Sequence, residues 1–576
     1  MAYDDYKNDL SRTPVTLVRI TLDFCANTYG VAPCTAPGEL PPCWNTFHTC
    51  KAKADFVKTT KQYDFTSANA PIPFAGPRPY VQEVSYLPTE ITDNVTVTGR
   101  IKVKLIDEPD GDVGIDPYVT ERPLFPDIPG TYFKKLVARN PNYKGRMLEI
   151  WEGFLGDPVG EFQKRANEPL DLISWDKGTV TMETVDLLRG LGDIEVPPKR
   201  DLKLFGAMAV DATEFYLTDT DDADGVASSG YVRIDDEIIH YGAYNSAQRK
   251  LSTLTRGDSG TIAAEHSDGT AVQVCRYYPP GNPFDHLKTM LLTDSGYATG
   301  LVDDEAFDYW RDWPGGEVEM TAMISQPTKL SEIYAGLVDL LDCKSWVAEN
   351  LAITISRNIP NAPGRTYRSM SDAANLVEKS AKVDGNEESR KTRVTLYWDK
   401  STLGAVDEPA SYARRDIGID AAAEGTEYGD TVEETIFTPW VKYGLVQEEV
   451  LYAYLADTLA RRVFTRRDAA PVITCNVELK DSDFLTGEFV TLETDELVNP
   501  DGTPVETRFQ LTSRDYKGSR VELKLLRMPV RRAAFFAPEE ATDYDSATPA
   551  QQEYGGFYSD EATGLMPNGD SGFYYY

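Results

Sequence analysis

Basic charge, histidine and long apolar runs are all scarce in this sequence, and each shortage removes a class of function. Against 92 Asp and Glu stand only 58 Lys and Arg, for a formal charge of −34. That balance opposes specific binding to nucleic-acid phosphates, which needs clustered cations. A negative lining would still let DNA slide past without sticking, and solubility alone is the plainer reason for such a charge. No run of 18 apolar residues occurs, so no membrane span is expected. Met1 to Leu10 is polar and acidic, unlike a secretory signal, and folding in a reducing cytosol is the expectation. Histidine occurs only at His48, His240, His266 and His286, with no cysteine or serine partner at catalytic spacing. A Walker loop, a dinucleotide fingerprint, an H-E-x-x-H pair and a nucleophile elbow are all absent. Carboxylates are so numerous that no acid/base pair stands out, and no enzyme is expected. The acidic run from Asp219 to Gly225 fails as an EF-hand, because Gly225 in sixth place puts Thr220 first and Tyr231, not glutamate, twelfth. Only looser calcium binding is left open there.

What is concentrated is cysteine. Four of the seven fall at Cys25, Cys34, Cys43 and Cys50, separated by eight, eight and six residues. Thr28-Tyr29-Gly30, Ala32-Pro33 and Pro41-Pro42 fill the gaps, which makes loops that converge rather than a helix. Four soft thiolates complete the shell of either an iron–sulfur cluster or a zinc ion. Paired C-x-x-C knuckles are missing and the loops are long, which suits the larger cluster; zinc and disulfides are the alternatives. Phe24, Tyr29, Trp44 and Phe47 are candidates for an apolar wall around the inorganic core. His48 is a possible substitute ligand, with a surface or capping role as the plainer reading. A structural metal contributes on the order of 10–16 kcal/mol, whereas ordering such an irregular segment costs about 1.5 kcal/mol per residue. The segment must therefore also pack against a neighbour. Cys275, Cys343 and Cys475 each stand alone in strand-like or helical sequence and read as buried structural thiols.

The order Cys-x8-Cys then Cys-x6-Cys, with Asn45-Thr46 and Thr49 around the last pair, resembles the cluster-binding domain of the lambda-type phage tail-tip protein L. The resemblance implies a [4Fe-4S] cluster on Cys25, Cys34, Cys43 and Cys50, in a domain lying ahead of the hub-like region rather than after it.

At 576 residues the chain suggests about four domains. Pro71 to Pro79 is too proline-rich for helix or central strand and reads as a domain boundary. Val95–Thr98 and Arg100–Leu105 alternate as half-buried strands. Tyr132–Asn140 reads as a helical turn or two and Tyr143–Leu155 as a strand. With Thr184–Leu188 and Pro197-Pro198, these resemble the first β-barrel region of phage baseplate and tail-tip hubs, including gene transfer agent hubs. From about 208 to 277 a separate unit contains a hairpin, Tyr231–Tyr241, turning near Asp235-Asp236. It is similar to a small β module inserted in many phage tail proteins, with Glu237, Tyr241, Arg256, Gly257 and His266 as its recurrent points. These serve either a partner or, the plainer reading, turns and core satisfaction.

Leu330 to Cys343 carries apolar residues on one face. Gln447 to Arg467 is the stronger helix, with Leu451, Leu455, Leu459 and Val463 four apart, acids first and Arg461, Arg462, Arg466 and Arg467 last. That arginine group reads as a solvated helix end rather than a phosphate site. Alternating strands follow at 472–479, 486–492, 509–512 and 521–526, and a helix followed by such strands resembles the closing barrel of the hubs. After Arg532 no Lys or Arg occurs, and acids alternate with aromatics in Tyr554–Tyr558 and Gly572–Tyr576. Such a tail suits a groove on a neighbouring subunit or fibre; a solubilising tail is the alternative.

The expected fold is thus mainly β with a few helices, in several domains: 1–80 iron–sulfur, 81–207 first hub barrel, 208–277 inserted β module, 278–345 α/β hub region, 346–530 second hub barrel with helix 447–467, and 531–576 acidic aromatic tail. The resemblance implies a virion tail-tip or baseplate hub, assembled in the host bacterial cytoplasm. It further implies a homotrimer that joins the tail tube to the central fibre and meets the distal tail, tape measure and tail-tip proteins. An iron–sulfur redox protein and a zinc-stapled fibre or receptor-binding protein are the rivals.

Overall fold

The structure, a computed structural model, describes residues 13–37, 41–67, 77–87, 91, 100–218, 221–312, 318–348, 352–359, 367–401, 403–444, 448–517 and 520–528. Met1–Leu10, Val95–Thr98, residues 71–76, Asp219, Thr220 and the tail from 531 onward lie outside the described residues.

The chain is mainly β and multidomain. Its first unit is a closed seven-stranded barrel of β1 (Pro14–Cys25), β2 (Lys58–Ser67), β3 (Arg78–Leu87), β4 (Arg100–Ile106), β5 (Met147–Phe154), β6 (Gln163–Asp176) and β7 (Thr179–Thr184), in the order β1-β2-β3-β4-β7-β6-β5. Strand β1 closes the circuit by pairing with β5 from Pro14↔Phe154 to Ile20↔Leu148. Alternation sends Val18, Ile20, Phe65, Val103, Leu148, Ile150 and Val180 into the barrel. Helix α1 (Tyr132–Arg139) adds Tyr132, Phe133 and Leu136 to the same core, with Phe133 and Phe65 ring centroids 5.0 Å apart. Asp107 holds the start of this helix by accepting from the Phe133 N–H at 2.9 Å and the Thr131 hydroxyl at 2.6 Å.

Two expectations change here. Residues 1–80 are not a unit ahead of the barrel, because β1 and β2 are barrel strands and the cysteine segment is the loop between them. The proline-rich stretch at 71–79 does not divide domains either: β2 and β3 on its two sides pair in parallel within one sheet. A parallel neighbour needs a crossover instead of a tight turn, and prolines suit a connection as well as a boundary.

The next unit is β8 (Leu202–Phe205), β9 (Glu214–Leu217), β10 (Gly230–Ile234), β11 (Glu237–Asn245), β12 (Lys250–Thr255) and β13 (Ala271–Gly281). These run β10-β11-β12-β9-β8-β13, and β10 also pairs with β13, closing the circuit around Leu204, Phe215, Val232, Ile239 and Leu251. The hairpin turns at Asp235-Asp236 as its sequence indicates, with Ile234 opposite Glu237 and Asp235 at φ 49°. The far half of β13 leaves the unit and pairs with β14 (Met320–Ile324).

A single large core then runs through the expected division at 345/346. It gathers α2 (Leu187–Gly190), α3 (Pro283–Thr289), α4 (Asp304–Arg311), α5 (Leu330–Leu340) and the hairpin β15 (Cys343–Val347) with β16 (Ile353–Arg357). Later elements join it: Val394, Leu396, Trp398, Ile436 and Trp440 from the chain at 393–441, and Leu455, Leu459 and Val463 from α6 (Glu448–Arg466). The last unit is a six-stranded sheet, not a closed barrel among the described residues. Its outermost strands, Arg368–Ser371 and Lys382–Asp384, are consecutive in the chain. Alternation at 472–527 reveals strands but not how the ends of their sheet meet.

Where the barrel joins the large core, two carboxyls share a buried corner. Asp186 caps α2 by accepting from the Leu188 N–H at 2.6 Å, and Glu168 on β6 accepts from the Thr184 hydroxyl. Burial pushes Glu168 up to about 7 against the Thr184 bond, with Asp186 adding to the rise; burial likewise pushes Asp186 up to about 6. A raised carboxyl binds its proton more tightly when folded, so this corner favours the fold at low pH and loses that contribution as pH rises through about 7. Glu168→Gln is expected to raise stability by about 1–2 kcal/mol at pH 8 and to change it little at pH 5. Denaturant unfolding at the two pH values would show this, and an equal effect at both would refute it.

Candidate metal centre

The loop carrying the cysteines is fastened at both ends to the barrel. Cys25 is the last residue of β1 and pairs with Lys58, the first of β2. Inside the loop, the Cys25 N–H donates to Asn45 O at 2.7 Å, and the Cys34 N–H to Val31 O at 2.8 Å. Asn45 adopts φ 54°, a conformation asparagine tolerates, and its amide donates to Asn27 O at 3.3 Å. Asp55 gathers the middle of the loop by accepting from the Thr35 N–H and hydroxyl at 2.7 and 2.6 Å.

The neighbour that the ordering cost demanded is the long connection between β4 and α1, with α1 itself. Arg122 donates to Cys43 O at 3.0 Å and to Pro42 O, and lies 4.0 Å from the centroid of the Trp44 ring. Asp116 fixes that guanidinium at 2.6 Å, both side chains being buried. The Tyr118 hydroxyl accepts from the Tyr29 N–H at 2.7 Å, and the Thr46 hydroxyl donates to Arg139 O at 2.7 Å. Arg139 is itself held by buried Asp112 at 2.6 Å. Asp112, Asp116, Tyr118, Arg122 and Arg139 carry no mark in the sequence: the bonds that tie Tyr118, Arg122 and Arg139 to the loop span 79 to 93 residues, and no local period reveals them.

Cys25 and Cys43 are buried, and Cys34 and Cys50 half-buried; all four are free thiols. Burial raises the Cys43 thiol pKa against a bond from Asn45, and Cys50, Cys25 and Cys34 each raise it further by their charge. Among the described residues, no three His, Cys, Asp or Glu side chains are spaced to close on a single metal ion. Trp44 Nε1 is buried without a hydrogen-bond partner among the described residues, a donor of the kind that sulfur ligands accept. Tyr29 and Trp44 stay at the loop's base, but Phe47 does not join a wall. It is exposed, packed edge-on against Phe56 at 5.3 Å with Lys53 over its face. His48 is exposed too. Cys275, Cys343 and Cys475 sit elsewhere, each pushed up to about 12 by burial and so inert as nucleophiles.

No protein-family model matches the sequence, and no curated protein matches it. Solved structures do. A tail protein from Neisseria meningitidis MC58 aligns at 10% identity and TM-score 0.35, covering 77% of this chain and 91% of that one. A 43 kDa tail protein of prophage MuSo2 from Shewanella oneidensis aligns at 12% and 0.35, covering 77% and 95%. Prophage tail protein gp18 from Listeria monocytogenes EGD-e aligns at 10% and 0.35, covering 77% and 89%. Likeness at this level carries no functional conclusion.

Two other groups singled out from sequence are structural. Glu237, wholly buried, accepts from Arg256 Nε and Nη2 at 2.7 and 2.8 Å, from the Gly257 and Ala264 N–H groups at 2.9 and 3.1 Å, and stands 2.8 Å from His266 Nε2. Burial pulls its pKa up, but Arg256, His266 and the two backbone donors more than offset that and leave it at about 2. Gly257 is required at φ 62°, where a Cβ would meet Ala263 N at 2.8 Å. Tyr241 lies apart from this knot and bonds Ala227 O at 3.3 Å. The arginines ending α6 are not a solvated helix end, which corrects the expectation. Arg462 is buried on Asp339 and Glu434, Arg461 is buried 3.5 Å from Asp342, Arg466 meets Glu434 at 2.7 Å, and Arg467 meets Asp420. Asp339, Asp342, Asp420 and Glu434 come from other elements, which a helical wheel does not display, whereas Asp457, 3.3 Å from Arg461, is its neighbour one turn back on α6.

Proposed function

We propose that this chain is a structural hub subunit of a tailed-phage tail tip or baseplate, forming a homotrimer between tail tube and central fibre and holding a [4Fe-4S] cluster. The observation that carries the cluster reading is the set of four free thiols on one barrel loop, whose backbone bonds Cys25 to Asn45, two residues from buried Cys43. Cys25, Cys34, Cys43 and Cys50 would hold it, buried Trp44 Nε1 would be a donor for sulfur, and Arg122, paired with Asp116, would hold the Cys43 backbone in place. A cluster whose iron corners each take one thiolate suits the long spacings between these four cysteines better than zinc does. When bound, the group cross-links four points of an irregular loop. The rest of the reading is supported by the order of parts within the chain: a closed barrel, an inserted β module, a large mixed core and a final sheet.

Cryo-electron microscopy of the assembled particle tests the hub reading. Three copies in a ring on the tail axis are expected, and an off-axis position or another copy number would overturn it. Iron and acid-labile sulfide measured after oxygen-free purification test the cluster separately. Zinc without sulfide would replace it.

A further inference from the structure

The outer face of the cysteine loop is locally basic in a strongly acidic protein. From Phe47 to Lys58 the sequence carries Lys51, Lys53 and Lys58 against the single carboxylate Asp55, which is engaged by Thr35; Asp23 of β1 pairs with Lys58 at 3.2 Å and with Arg146, so the basic excess rests on Lys51 and Lys53. Phe47 and Val57 are 46% and 49% exposed on this stretch, and Lys53 Nζ stands 5.3 Å from the Phe47 ring centroid. Beneath them a depression of about 320 Å³ is lined by Phe47, Phe56, Lys58, Arg139 and Arg146 among others. Exposed apolar side chains beside lysines suit a partner that brings aromatics and carboxylates together.

The chain contains such a partner. Beyond Arg532 there is no Lys or Arg, while Glu553, Asp560, Glu561 and Asp570 punctuate Tyr554, Phe557, Tyr558 and Phe573–Tyr576. We propose that the segment 554–576 docks on the Phe47–Lys58 face of the cysteine loop, its aromatics on Phe47 and Val57 and its carboxylates on the lysines. The last sheet, whose final strand ends at Arg527, touches the connection between barrel strands β3 and β4, since the Ile91 N–H donates to Thr512 O at 2.8 Å. From Met528 to Tyr554 an extended chain reaches roughly 85 Å, whereas the barrel strand leading to the cysteines spans about 40 Å. The inference needs neither the cluster nor the virion reading.

Carbodiimide cross-linking of the full-length protein, which joins a carboxylate to an amine as an amide with loss of water, tests this. Cross-links from Asp560, Glu561 or Asp570 to Lys51, Lys53 or Lys58 are expected, with Lys104–Glu83, an exposed pair 2.6 Å apart, as the internal control. Phe47→Ser, which leaves every lysine in place, should cut the tail cross-links several-fold and leave the control unchanged. Mixing isotopically light and heavy chains then distinguishes docking within a chain from docking on a neighbouring copy, and either supports the proposal. Control cross-links without tail cross-links, tail cross-links to other lysines, or a yield insensitive to Phe47→Ser would overturn it.

Discussion

Replacing Cys43 by serine is expected to strip iron and sulfide from the purified protein and to loosen the loop between β1 and β2 while the barrel stays folded. Cys43 is the thiol to choose because it is buried and its near neighbour Asn45 bonds the Cys25 backbone. On the proposed ligation, the metal's contribution is on the order of 10–16 kcal/mol. What stays behind is a handful of hydrogen bonds, from Tyr29 to Tyr118, Thr46 to Arg139 O and Arg122 to Cys43 O, each contributing about 0.5–1.5 kcal/mol, more where a charge takes part. Those bonds cannot offset an ordering cost of about 1.5 kcal/mol per residue over the whole loop. Hydrogen exchange should therefore accelerate across 26–57 and stay slow in β4 and β7. Cys475→Ser, in the last sheet, should leave iron content unchanged. Full iron and sulfide retention in the Cys43 variant would remove the proposed centre.

The cysteines were legible because ligand chemistry is written in residue type and spacing, whatever the surrounding fold. The barrel strand that ends in Cys25 was equally legible in principle, since Val18, Ile20 and Leu22 alternate into the barrel core, with Val15 and Leu17 buried on the opposite face. The cysteine spacing masks it, because four thiols with long gaps fit a domain of their own as well as a loop of an existing barrel, which makes the neighbour they need available at once. Helix α6 followed from leucines four apart and the 231–241 hairpin from its Asp-Asp turn, both local signals. Long-range partners left none. Arg122 and Cys43 meet only because the β4–α1 connection folds back over the barrel's end, and Glu237 meets His266 only because a six-stranded circuit closes. Closure was likewise hidden: the same alternation yields a closed barrel at the start of the chain and a six-stranded sheet at its end.

Arg462→Met is expected to destabilise the large core by about 3–5 kcal/mol, because it removes the cation from a buried, paired site and leaves its carboxylate partners without it. Arg462 is fully buried and joins three elements: α6, Asp339 on α5, and Glu434 on the strand Glu433–Phe437. Burial pulls the guanidinium pKa down, but Asp339, Asp342 and Glu434 more than offset this, so the group stays charged throughout the accessible pH range. With net stabilities of roughly 5–15 kcal/mol for a domain, such a loss should appear as faster exchange in the α6 amides and as a clear shift in denaturant unfolding. Arg466 keeps its own bond to Glu434 at 2.7 Å, so the greater deficit falls on Asp339. Adding Asp339→Asn should therefore recover part of the loss, since an apolar side chain beside a neutral amide avoids the uncompensated charge. High salt should rescue neither variant, because a buried pair lies beyond the screening that weakens exposed ones. An Arg462→Met protein within about 1 kcal/mol of the parent, the level of an exposed pair, would return the arginines of α6 to the solvated role that their sequence alone suggests.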